Sequence, residues 1–102
     1  MTKNIIDKFI QEHATQIGGI KVFASQDAKE FVRLLIGNER KILGVDGIFV
    51  NQEGHRPSME DSILTQEWYD EGISESKIET QISKFINERA DKQDLLFEIV
   101  FK

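Results

Sequence analysis

Glu67-Trp68-Tyr69-Asp70-Glu71 places the only tryptophan and the only tyrosine of the chain among acids. Aromatic side chains supply large contact areas at protein interfaces, and flanking carboxylates attract a cationic partner and speed its encounter. Upstream, Glu60 and Asp61 extend the acidic stretch. The segment therefore has the chemistry of a protein-recognition surface. Glu60, Asp61, Glu67, Asp70 and Glu71 are its candidate partners for Lys or Arg, and Trp68 and Tyr69 its candidate apolar contacts. The same residues also fit a plainer arrangement, in which Trp68 anchors a long loop to the core and the acids stay solvated.

Other chemistry has less to work with. His13 and His55 are the only histidines, and neither has a ligand-type neighbour three or four residues away. His13 falls on a helical face between Phe9 and Ile17, which suits a structural role. His55 follows Gly54 in a turn, and with Asp46 and Glu60 it completes a conceivable set for a small metal-dependent enzyme; solvation in the turn is the simpler reading. The absence of cysteine excludes disulfides, thiolate zinc sites and a thiol nucleophile. Nucleophile-elbow, zinc-protease and phosphate-cradling glycine motifs are missing too. The expectation is a protein that is not an enzyme and uses no metal or cofactor.

Charge is unevenly placed. The chain carries −5 overall, yet Glu53 to Glu79 holds eight acids against two bases. Pro57 to Ser76 holds six acids and no Lys or Arg, so phosphates would be repelled there and a basic partner attracted. Direct nucleic-acid binding through this region is not expected. No apolar run approaches the roughly 20 residues of a membrane span, and the first residues lead into an amphipathic pattern unlike a signal peptide. A cytoplasmic protein without membrane contact is the expectation.

These residues must be positioned by a small scaffold. With 102 residues, 39% of them hydrophobic, the chain suits one core, and residues 1–102 read as a single domain. Asn4 caps a helix whose Ile5, Ile6, Phe9, Ile10, His13 and Ile17 share a face, with Gly18-Gly19 as its stop. Ile20 to Ala24 reads as a strand. Ser25 then caps a helix burying Ala28, Phe31, Val32, Leu35 and Ile36, ended by Gly37-Asn38. Lys41 to Val50 has strand character, and its Asp46-Gly47 suits a tight turn, although one bent strand with a glycine bulge fits equally. Asn51 to Gly54 is a second turn, and His55 to Asp70 is read as a long irregular segment. Ser76 and Glu79 have capping-box spacing ahead of Ile78, Ile82, Phe85 and Ile86. Leu95 to Lys102 alternates as a strand covered mainly on one face. The predicted fold is α+β, in the order α-β-α-β-β-loop-α-β. It has three to four largely antiparallel strands and about three helices on one face.

Within Arg56-Pro57-Ser58-Met59-Glu60-Asp61-Ser62, Pro57 fixes the chain direction and Ser58 is placed to cap a short helix with Glu60 and Asp61 near its positive end. Taken with Gly44-Val45-Asp46-Gly47-Ile48 and Gly54, this motif resembles small bacterial immunity proteins of polymorphic-toxin and contact-dependent growth inhibition systems. The resemblance covers roughly residues 42 to 62. It implies a protein that binds and neutralises a toxin domain encoded beside it, often a nuclease, without catalysis of its own. Nuclease domains are basic around their phosphate sites, so the acidic segment is the expected contact, occluding the substrate site. The alternative is a small-molecule binding or regulatory domain with its pocket between the helices and the Lys41 to Val50 strands.

Overall fold

The computed structural model describes residues 4–102. Its elements are α1 (Ile5–His13), β1 (Thr15–Ile17), β2 (Ile20–Val22), α2 (Ser25–Gly37), β3 (Ile42–Asn51), β4 (Gly54–Leu64), α3 (Gln66–Asp70), α4 (Glu75–Asn87) and β5 (Leu95–Phe101). The α+β class and the rough element order are as expected. No helix among the described residues is long and apolar enough to cross a membrane.

Asn4 caps α1, its Oδ1 accepting the Asp7 N–H at 2.8 Å. The helix stops at His13, four residues short of the predicted end, because Ala14 is extended and Thr15 starts a strand. Ile17 lies at helical spacing, but Thr15, Ile17, Ile20 and Val22 are β-branched and flank Gly18-Gly19, so hairpin formation wins. Gly18 adopts φ 55°, the left-handed conformation that the turn requires. In α2 the cap position is Ala24 and not Ser25, while Asn38 ends the helix as predicted. The α4 cap is Ser74, whose Oγ accepts the Lys77 N–H, two residues before the predicted Ser76.

Strand β3 is central in the sheet order β4-β3-β5, and both of its neighbours run antiparallel. It passes straight through Asp46-Gly47, so those residues form no turn. The predicted irregular segment is instead β4, at 11 residues the longest strand, followed by the short helix α3. Helices α1, α2 and α4 contribute Ile6, Phe31, Leu35, Ile78, Ile82 and Ile86 to one core with Val45 of β3 and Phe97 of β5. Phe31 stacks on Phe23 and Phe9, with ring centroids 4.7 and 5.5 Å away, and meets Phe101 edge-on. A cavity of about 220 Å³ remains beside this core, bordered by Ile10 of α1, Phe31 of α2 and Ile99 and Phe101 of β5.

The sheet's other face is partly covered by the β1–β2 hairpin. Directly opposed residues share a face, which puts Asp46, Ile48 and Val50 of β3 with His55 and Pro57 of β4 and with Leu96 and Glu98 of β5. Phe23 exchanges backbone hydrogen bonds of 2.7 and 2.8 Å with Phe97 at the β5 edge. At the hairpin tip, a Cβ on Gly18 would lie 2.9 Å from Cε1 of His55 on β4. The hairpin therefore crosses this outer face, where Val22 and Ile48 are buried outside the main core cluster.

Candidate protein-protein interface

The acidic segment is held by its own aromatic and hydroxyl side chains. Thr65 ends β4 fully buried, donating from Oγ1 to the Ile42 carbonyl and from its N–H to the Leu43 carbonyl. This turns the chain into α3, where the Tyr69 hydroxyl accepts the Ile42 N–H at 3.0 Å. Lys41 Nζ lies 5.6 Å from the centre of the Tyr69 ring. Trp68 is half-buried against the core and borders a shallow groove of about 250 Å³ with Ile63, Gln81, Lys84, Phe85 and Glu88. Both aromatics thus serve as anchors, and both residues are half-buried.

With those rings turned inward, Glu67, Asp70 and Glu71 are exposed. Among the described residues none of the three forms an ion pair. Glu60 is exposed on β4, and its carbonyl accepts from Arg89 Nη2 at 3.1 Å. Four of the five predicted acids therefore face solvent. Asp61 is the correction: only 1% of it is exposed, and its carboxylate is fully engaged within the chain.

Asp61 sits in a wide bulge. Val45 pairs with Ile63 and Gly47 with Ser58, so Met59, Glu60, Asp61 and Ser62 of β4 all face the single residue Asp46 of β3. Asp61 Oδ1 accepts from Arg89 Nε at 3.0 Å and Lys92 Nζ at 2.7 Å, and Oδ2 from Ser58 Oγ at 2.7 Å. Ser62 Oγ accepts the Gly47 N–H and donates to the Ser58 carbonyl. A Cβ on Gly47 would come within 2.5 Å of the Asp61 carbonyl oxygen, so glycine is required by close approach and not by a turn. Desolvation pushes the Asp61 carboxyl up, but hydrogen bonds from Lys92, Ser58 and Arg89 and the Lys92 charge hold it below the usual carboxylate range. Ser58 caps no helix. Gly47, Ser58, Asp61 and Ser62 of the motif are thereby accounted for as architecture.

Of the residues of the metal-enzyme reading, Asp46 lies mid-strand on the outer face opposite the bulge that carries Glu60, and His55 lies beside Gly18 at the far end of β4. Among the described residues no three His, Asp or Glu side chains are grouped to hold a metal ion. His13 packs against Phe9 with the rings tilted by 34° and their centroids 4.3 Å apart, and approaches Asp27 at 3.6 Å, a structural placement.

Sequence reasoning missed a second pair of acids. Asp46 opposes Glu98 directly across β3 and β5. Burial pushes the Asp46 carboxyl up, and burial together with the Asp46 charge does the same to Glu98. Nothing in the sequence signals the pair, because strand register joins residues 52 positions apart. Arg89 and Lys92 were missed because tertiary packing, not local pattern, brings the segment after α4 to Asp61, 28 and 31 positions away. No protein-family model, curated protein or solved structure matches this chain.

Proposed function

We propose that the protein is a cytoplasmic immunity protein that binds the basic domain of a cognate toxin, a nuclease of the RNase type, and excludes substrate from its active site. The observation that carries this reading is the set of exposed acids Glu67, Asp70 and Glu71, without an ion pair among the described residues, on and at the end of a helix pinned by Tyr69 and Trp68. Glu60 adds a fourth charge from the neighbouring strand. Unpaired carboxylates on a fixed element repel phosphate and attract Lys and Arg, which a phosphate-binding enzyme must display. The half-buried Trp68 and Tyr69 supply apolar area beside the charges. Asp61 takes no part in contact and instead shapes the bulge that carries Glu60. The resemblance of residues 42 to 62 to immunity proteins supplies the class, and the charge distribution supplies the mechanism.

The test is co-expression with the C-terminal domain of the protein encoded by the adjacent reading frame. A stable complex that silences a basic nuclease supports the reading. A neighbouring product that is not toxic, or that fails to copurify, overturns it.

A further inference from the structure

The β1–β2 hairpin leaves part of the outer sheet face open. There Leu64 of β4 and Val100 of β5 both oppose Gly44 of β3, so two apolar side chains flank a glycine floor. Leu64 is 79% exposed and Val100 38%, and Met59 on the adjoining bulge is 88% exposed. The next pair along this face is Asp46 and Glu98. Both are half-buried, and among the described residues no Lys or Arg lies within ion-pairing distance of either. Lys21 of β2 borders the same groove as Glu98 but forms no ion pair with it.

Like charges directly opposite each other destabilise a sheet, and partial burial adds a desolvation penalty. Here that penalty coincides with uncovered apolar side chains. A positive charge on an apolar stem relieves both at once, because the stem covers Leu64 or Val100 while the head reaches the two carboxylates. Arginine suits the geometry better than lysine, since its planar fork offers five donors to two acceptors. We propose that this open face docks a basic partner protein through an arginine seated between Asp46 and Glu98, with the residues flanking that arginine packed on Leu64 and Val100. The surface lies on the sheet and not on α3, so it stands or falls separately from the acidic helix and does not require the partner to be a nuclease.

The test is an NMR titration of the full chain with acetyl-leucyl-arginyl-leucinamide, and with the same peptide carrying neutral citrulline. The expected result is saturable perturbation at Gly44, Asp46, Leu64, Glu98 and Val100. Affinity should fall about tenfold with citrulline, and likewise in the Asp46→Asn/Glu98→Gln variant, the worth of one charged contact. The remaining spectrum of that variant reports whether its fold is intact. Perturbation that fails to saturate, is equal for citrulline, or maps to Glu67, Asp70 and Glu71 instead overturns the proposal. So does concentration-dependent perturbation of the same residues without peptide, which would assign the face to a second copy of the chain.

Discussion

Asp61 shows how one carboxylate can be acidic in composition and structural in role. Its three partners come from β4 and from the segment after α4, so removing it leaves Arg89, a side chain only 20% exposed, with the more exposed Glu88 at 3.7 Å as its remaining anion. Asp61→Ala is expected to cost about 3 kcal/mol, read from urea unfolding at neutral pH. Because its pKa is lowered on folding, its contribution is present above the unfolded carboxylate value of about 3.9 and is lost as pH falls through the lower folded value. The Ala variant should therefore lose part of the acid-unfolding limb of the native protein. Gly47→Ala tests the other side of the bulge. With the Asp61 backbone in the way, the methyl group should cost about 1–3 kcal/mol of unfolding free energy. A neutral result for Gly47→Ala would mean that the bulge yields. None of this was legible from Asp46-Gly47 as letters, since a turn and a close approach both select glycine.

Elements follow local pattern wherever a single face carries the signal. The stripes Ile78, Ile82, Phe85, Ile86 and Leu95, Phe97, Ile99 are buried as their spacing predicts. Pattern fails at α1, where Ile17 satisfies a helical period and a strand alternation alike, and at β4, where the bulge interrupts alternation and hides the strand. An edge strand with one solvated side, broken in register and containing Pro57, carries too few buried residues to announce itself. Among the described residues, helix α3 itself makes one side-chain hydrogen bond to the sheet, beside the two made by Thr65 at its start. In Tyr69→Phe the buried Ile42 N–H loses its acceptor, with an expected cost of about 1–3 kcal/mol and faster hydrogen exchange at that amide. Unchanged exchange at Ile42 would show that α3 is held by the Thr65 hydrogen bonds and Trp68 packing without help from the Tyr69 hydroxyl.

For the whole molecule, negative charge is gathered in two regions. Asp46 and Glu98 hold their protons more tightly folded than unfolded, so stability falls as pH rises through their raised values. Asp46→Asn should accordingly stabilise the domain at neutral pH by about 0.2–1 kcal/mol, a gain that vanishes in acid where both carboxyls are protonated. The other region is the acidic quarter of the sequence, whose negative excess was plain from composition alone. What composition could not separate is which acids face outward, and the fold divides them by withdrawing Asp61 and presenting Glu60, Glu67, Asp70 and Glu71.

The most direct test of the proposed role is calorimetric titration of the adjacent-frame toxin domain with the native chain and with Glu67→Lys/Asp70→Lys/Glu71→Lys, at low and high salt. The expected result is affinity weakened by at least about tenfold in a variant that remains folded, together with a much shallower salt dependence. Equal affinity and equal salt dependence for the two proteins would contradict the account.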